Sequence, residues 1–469
     1  MMYDKFIEDL KSQDDLIENV ANDAKNYLKN IENRKVSPVF QDIELSDIPK
    51  DGVGAKNAIN IFKEKYEPFM QANIGPRYFA YVIGGTTPAA LAADWYTSLY
   101  DQDAFGYTGT VDRQIEKEAV NMLRELIKLP KDQYGAVVSG ATMANMAGLS
   151  VSRQWAADKS GYSASEDGIF GMPKVEIASG SAHGATYKAI SMLGMGRKNL
   201  INIKCLSDRE AVDIDALKEF LENRDQKTPL IYIANAGTAN SGDIDDLSEI
   251  LKLKKQYGFY LHIDGAFVGI AACSDKFDNY FKGWGEADSI TVDTHKWLNT
   301  PYDGAVLFTR HKQFLYDVFN NGTKDTGEMP ENASLHSFTP EGSRRLRALS
   351  VWMSLTAYGK KGYMDIVDRN IDVCRYYGEL VKESKYFRLL NEVRTNVCCF
   401  TLNKKGLTMT QLLSFLKTLQ EEGITFSNAC DYLGTPALRV CVSNYRTQTN
   451  DIKVAFESLE SCAKRFIND

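Results

Sequence analysis

The chain has 469 residues, 44% hydrophobic and 25% charged, a length that exceeds one ordinary core and implies a large domain with smaller companions. Its formal net charge of −7 offers no basic face, which argues against nucleic acid or an anionic membrane as partner. No apolar run reaches the roughly 18 residues needed to span a bilayer, and the acid-rich start MMYDKFIEDLKSQDD lacks the apolar centre of a leader or anchor.

Residues 1–85 are expected to form an N-terminal arm, mostly of helices, with Pro38 and Pro49 as breaks. Residues 86–365 then alternate strand and helix. AVVSG at 136–140 is a buried strand running into the helical MANMAGLSVSRQWAAD. KVEIASG at 174–180, LINIKCL at 200–206, LIYIANA at 230–236, FYLHIDGAF at 259–267, SITV at 289–292 and GAVLFT at 304–309 complete a set of seven. Short apolar strands separated by helices predict an α/β fold, a mainly parallel seven-stranded sheet with helices on both faces. After a polar segment comes a long helical run from about 343 to 384. FRLLNE, NVCCFTL and LRVCVSN with two further helices make residues 366–469 a small α+β domain.

The eight cysteines (Cys205, Cys273, Cys374, Cys398, Cys399, Cys430, Cys441, Cys462) form no CxxC pair, as expected of free thiols in a reducing cytoplasm. The five histidines show no HExxH or comparable spacing, so no metal is expected.

Four stretches could carry chemistry. In VVSGATMANMAGL a strand ends at Ser139-Gly140-Ala141-Thr142 and a helix begins at once. That junction either cradles a phosphate on free N–H groups and the positive helix end, or is a plain turn capped by Thr142. In SGSAHGATYKAI, His183 either stacks on a planar ring or acts as acid–base group, or is a hydrogen-bonded structural residue. In LHIDGAF, Asp264 closes a strand at the edge where open α/β sheets bind ligands, either facing a cationic nitrogen or leaving for the surface. In DSITVDTHKWLN, Lys296 sits between a strand and the apolar Trp297 and Leu298. Its amine either attacks a carbonyl to form a Schiff base or snorkels past Trp297 to solvent. Taken together and in this order, the four fit pyridoxal phosphate. The phosphate would lie on the helix N-terminus, the aldehyde on the lysine, and the aspartate would keep the pyridine nitrogen protonated.

These motifs, with GPRYFAYVIGG at 75–85, TPAALAADW, PEGSRRLRAL at 340–349 and, more weakly, ALRVCVSNYRT at 437–447, resemble the group II pyridoxal-phosphate-dependent amino-acid decarboxylases. That family includes aromatic-L-amino-acid, glutamate and cysteine-sulfinate decarboxylases; the aromatic branch is nearest in pattern. The resemblance implies the aspartate-aminotransferase-like fold (fold type I) and a homodimer with its active sites at the subunit interface. It implies that Lys296 carries the cofactor, Asp264 partners its ring nitrogen and His183 stacks on its face. Ala141 and Thr142 would hold the phosphate, with His295, Thr238 and Ala266 also on the cofactor. Tyr81, Val82, Ile83 and Phe105 match substrate-pocket positions, with Phe105 reaching the neighbouring subunit, or are simply core residues.

Two departures stand out. Relatives commonly have asparagine three residues before the lysine; here it is Asp293, expected to turn from the phosphate or bond a neighbouring amide. Many relatives also carry a loop tyrosine that protonates Cα, but none occurs between Tyr316 and Tyr358; His336 is either the donor in its place or simply a solvated loop histidine. In relatives the loss of that tyrosine accompanies aldehyde formation. The expected activity is decarboxylation of an aromatic L-amino acid to its amine. Alternatives are an acidic or other small substrate, an aldehyde synthase, a carbon–carbon lyase such as sphingosine-phosphate lyase, or a non-catalytic scaffold. The Gly, Asn and Pro content of residues 320–340 is compatible with a lid.

Overall fold

The computed structural model describes residues 2–322 and 329–468. Helices α1 (Asp4–Lys11), α2 (Gln13–Lys29) and α3 (Ala55–Lys65) form the N-terminal arm, and none buries a residue fully within the single chain. Helices α4 (Pro88–Tyr100) and α5 (Val111–Leu126) lead into the sheet. The alternating region then runs β1 (Tyr134–Val138), α6 (Ala141–Asp158), β2 (Glu176–Ser179), α7 (Gly184–Met192), β3 (Leu200–Asn202), α8 (Ile214–Asn223) and β4 (Leu230–Asn235). It continues through α9 (Leu247–Tyr257), β5 (Tyr260–Asp264), β6 (Ser289–Asp293), β7 (Ala305–Thr309) and α10 (Lys312–Phe319).

The sheet order is β1-β7-β6-β5-β4-β2-β3, and β7 alone runs against its neighbours. The seven-stranded, mainly parallel sheet is therefore as the sequence predicts. Strands β4 to β7 are buried along their whole length, because helices cover both faces. This explains why they read as continuous apolar runs rather than alternating ones.

Helix α11 (Ala348–Glu383) carries the chain onward, and its one non-helical residue is Gly359. The division expected at 365/366 thus falls inside this helix. Beyond it, β8 (Phe387–Leu389), β9 (Val397–Leu402), α12 (Met409–Glu422), β10 (Asn428–Tyr432), β11 (Thr435–Cys441) and α13 (Thr449–Asn468) build a four-stranded antiparallel sheet, order β10-β11-β9-β8, backed by helices. The end of the 1–85 segment belongs with this sheet by its bonding. Phe79 donates to the Phe426 carbonyl (2.9 Å) and accepts from the Cys441 amide (3.0 Å), and its ring packs on Tyr377.

All eight cysteines are free. Among the described residues, no helix is long and apolar enough to cross a membrane, and no cluster of His, Cys, Asp and Glu is arranged to hold a metal ion.

Candidate active site

Parallel strands deliver their C-terminal ends to one edge, and five of them (β1, β2, β4, β5 and β6) open there onto a cavity of about 440 Å³. Ser139 follows β1, His183 follows β2, Asn235 ends β4, Asp264 ends β5 and Asp293 ends β6; all line this cavity. Ala141, Thr142, Ala266, His295, Lys296, Tyr81 and Val82 line it too.

One wall is the start of α6. Gly140 at the N-cap supplies no side-chain cap, so the first amides of the helix face the cavity without a side-chain acceptor. His295 abuts this wall: a Cβ placed on Gly140 would lie 3.4 Å from its Cε1. The His295 Nδ1 accepts from the Gly304 amide (3.2 Å), and burial holds the imidazole below its ordinary pKa. The neutral ring therefore carries its proton on Nε2 as a donor. Tyr302 stacks on its face at 4.1 Å. His183 caps α7, its Nδ1 accepting from the Ala185 amide (3.1 Å), which leaves the exposed ring at the cavity.

Asp264 is 6% exposed. Its Oδ1 accepts from the Ala266 amide (3.1 Å) and its Oδ2 from Nδ2 of Asn145 (2.9 Å). Both oxygens are supplied with donors, an arrangement suited to an ionised carboxylate.

The turn after β6 explains the lysine. Trp297 and Leu298 are fully buried, and the Trp297 indole donates to Asn370 Oδ1 (2.9 Å). These two anchors point into the protein and leave Lys296 facing the cavity, with no route past Trp297 to solvent. The backbone is pinned from the other side by Gly84, where a Cβ would come within 1.7 Å of the Lys296 carbonyl oxygen. Only glycine permits that approach.

Asp293 departs from expectation. It bonds no amide: it lines the cavity at 1% exposure, its Oδ2 lies 2.5 Å from Lys296 Nζ, and no donor other than that ammonium meets either oxygen. The charge of Lys296 is its counterweight, with the neutral His295 Nε2 at 3.7 Å.

Four candidate positions, three implied by the resemblance and His336 taken in place of the missing tyrosine, lie off this cavity. Thr238 is buried in the turn after β4, bonded to Ser241 Oγ (3.0 Å) and the Asp243 amide (3.0 Å). Its neighbours Gly237 and Ala239 reach the lining instead. Ile83 packs with Val36, Tyr78, Ala80 and Phe426. Phe105 and His336 meet edge to face at 5.1 Å, with Tyr107 against both. Of the 320–340 segment, residues 323–328 lie outside the described residues.

Arg439 was missed by sequence reasoning. It reaches the cavity from β11 at 8% exposure, donating to the Ala239 carbonyl and to Asn428 Oδ1 (3.1 Å), while its Nε is buried without a partner. A cation inside the apolar run LRVCV was the available signal. Asn428 Oδ1 also accepts from the Tyr81 amide (3.2 Å), holding Tyr81 and Val82 at positive φ (55° and 61°). Such backbone strain gathers at ligand sites.

An uncapped helix start, a buried carboxylate and a cavity-facing amine suit a phosphorylated aldehyde with a basic ring nitrogen, the parts of pyridoxal phosphate. Comparison with known proteins agrees. Residues 49–403 match the family described as the pyridoxal-dependent decarboxylase conserved domain. An aromatic-L-amino-acid decarboxylase of Bacillus atrophaeus is 25% identical over 463 residues, covering 94% of this chain and 93% of that protein. An acidic amino acid decarboxylase of Mus musculus is 26% identical over 342 residues, covering 69% and 60% respectively. The fold matches the crystal structure of an Oryza sativa TDC with PLP and tryptamine at a TM-score of 0.87 and 19% identity, over 98% of this chain and 99% of that one. The family match spans most of the sequence, and the chain belongs to the pyridoxal-phosphate-dependent amino-acid decarboxylases, with pyridoxal 5′-phosphate as its cofactor.

Proposed function

We propose that the chain decarboxylates an aromatic L-amino acid to the corresponding amine and CO₂, working as a homodimer. The observation that carries the substrate class is the lining: Tyr81, Val82, Met143 and Phe267 supply apolar surface, and Arg439 is the one arginine among the described lining residues. A single carboxylate, that of the amino acid itself, occupies one guanidinium, and an aromatic side chain needs no second. The Bacillus relative, similar over nearly its whole length, supports the same class.

Each residue then has a role. The first amides of α6, with Ala141 and Thr142, would hold the phosphate, and the Nε2–H of His295, beside Gly140, would be a further donor. Asp264 would face the ring nitrogen, and His183 and Ala266, which line the same cavity, would flank the ring. Lys296 would be the amine that anchors the aldehyde, and Asp293, with Oδ2 2.5 Å from Nζ, is placed to hold or take a proton at that nitrogen. Bound there, the cofactor supplies the electron sink for the pair left as the Cα–carboxylate bond breaks.

The partner subunit is part of this reading. Trp95, Tyr96, Leu99 and Tyr100 on α4 are 45–67% exposed, as is Tyr302 (52%), which stacks on His295. A patch of this kind is expected to be covered by a second copy. Phe105, Tyr107 and His336 would then face the neighbouring cavity, with His336 as the proton donor to Cα.

A panel of amino acids scored for CO₂, amine, aldehyde and peroxide tests the reading. Equal amounts of CO₂ and amine from phenylalanine, tyrosine, tryptophan or Dopa are expected. Aldehyde with peroxide would replace it with an aldehyde synthase, and turnover confined to acidic or diamino substrates would overturn the substrate class.

A further inference from the structure

Behind Asp264 runs a buried chain of side chains that the roles above do not use. Asn145 of α6, His262 of β5 and Ser289 of β6 are each at most 1% exposed. Asn145 Nδ2 lies 2.9 Å from Asp264 Oδ2, Asn145 Oδ1 lies 2.9 Å from His262 Nε2, and His262 Nδ1 lies 2.7 Å from Ser289 Oγ. The direction of every bond follows from the first. An ionised carboxylate only accepts, so Asn145 must turn its NH₂ toward Asp264 and its oxygen toward His262. The imidazole must then donate from Nε2, its Nδ1 must accept, and Ser289 must donate.

The surroundings agree with that polarity. Burial pushes the His262 imidazole down to about 4, so the ring is neutral at physiological pH and one nitrogen is free to accept. Helix α6 meets this ring through Gly148, where a Cβ would lie 2.7 Å from His262 Cε1. The helix whose first amides face the cavity is thus seated on the same histidine that, through Asn145, supports Asp264. Reversing the amide of Asn145 would set its oxygen against Asp264, which is tolerable only if that carboxyl is protonated.

We propose that Asn145, His262 and Ser289 are positioning residues, a neutral hydrogen-bond relay that donates to Asp264 and holds it oriented toward the ring nitrogen. This rests on the assignment of Asp264 as the partner of the pyridine nitrogen, and the experiment separates the two.

Cofactor-stripped protein is titrated with pyridoxal phosphate and with its analogue in which CH replaces the ring nitrogen. Wild type is expected to prefer the cofactor. Asn145→Leu should lose about tenfold or more in affinity for pyridoxal phosphate while the analogue binds nearly as before, so the preference collapses. Asn145→Thr, whose hydroxyl can accept from His262 and donate to Asp264, should recover part of it. Equal weakening of both ligands would mean a merely structural role and overturn the relay, as would an unchanged preference. A wild type that binds both ligands equally would overturn the assignment of Asp264 itself. Should Asn145→Leu fail to fold, Ser289→Ala takes its place, and nitrogen NMR of wild-type His262 gives an independent reading. A neutral ring protonated on Nε2 is expected; the opposite tautomer, or an imidazolium at neutral pH, would overturn the relay.

Discussion

The ion pair between Asp293 and Lys296 has a measurable size. At 2.5 Å, and with the effective dielectric of about 20 suited to protein sites, the gross attraction is about 7 kcal/mol. A double-mutant cycle with Asp293→Asn and Lys296→Met cancels the desolvation of each ion and leaves their mutual term. Water at the cavity mouth reaches the lysine side chain, which is 18% exposed, and screens that term to about 2–4 kcal/mol. Lys296→Met alone strands a carboxylate that is 1% exposed and hydrogen-bonded at neither oxygen, at a cost of about 3–5 kcal/mol. Asp293→Asn leaves an ammonium that cavity water can still solvate, so it should cost less. The double variant should therefore be more stable than Lys296→Met. Urea unfolding of the four cofactor-free proteins at one concentration measures the cycle. A coupling below about 0.5 kcal/mol, the size found for exposed pairs, would refute the reasoning.

Three further outcomes are expected. His262 is held near 4 in the folded state against an ordinary value near 6.5, so its contribution is fully present above about 6.5 and is lost as pH falls toward 4. Asp264, the carboxylate nearest it, opposes this only in part. Asp245, raised to about 6 by burial, adds stability as pH falls and acts in every variant. The advantage of wild type over His262→Gln should thus shrink by up to about 3 kcal/mol between pH 6.5 and 4, read from unfolding at each pH; a flat difference would contradict it. Gly84→Ala puts a Cβ against the Lys296 carbonyl and should cost about 3 kcal/mol or displace the lysine, seen as lower unfolding temperature and slower cofactor capture. Gly342→Ala, which meets nothing within 4 Å, is the control. Arg439→Gln should raise the substrate KM about tenfold or more with little change in cofactor affinity, and an unchanged KM would remove it from the substrate site.

Much of this was legible in the sequence because the sheet is buried on both faces. Continuous apolar strands such as LIYIAN and SITVD declare themselves, and a polar residue at the end of one, Asp264 or Asp293, marks the edge that binds ligands. Lys296 was readable for the same reason, since Trp297 and Leu298 after it had to be anchors. Alternation along β5 places His262 on the face of Asp264, a clue present in LHID. Asn145 gave no such signal. It lies among small residues on the inner face of α6, and only the approach of that helix to β5 gives it a partner. Thr238 came from the resemblance alone, and in the structure its hydroxyl bonds within the turn after β4. Asp293 could not be placed in advance, because its partner is the very lysine it precedes. Phe105 and His336 lie off the cavity of this chain, and a role for them would depend on how the two copies of the proposed dimer meet, which no single strand or helix encodes.

The most direct test of the account is where the cofactor is attached. Holoprotein reduced with borohydride, digested and mapped by mass spectrometry should carry the reduced pyridoxyl group on Lys296, and Lys296→Ala should carry none. A label on another lysine, or a wild type that takes up no label, would contradict it.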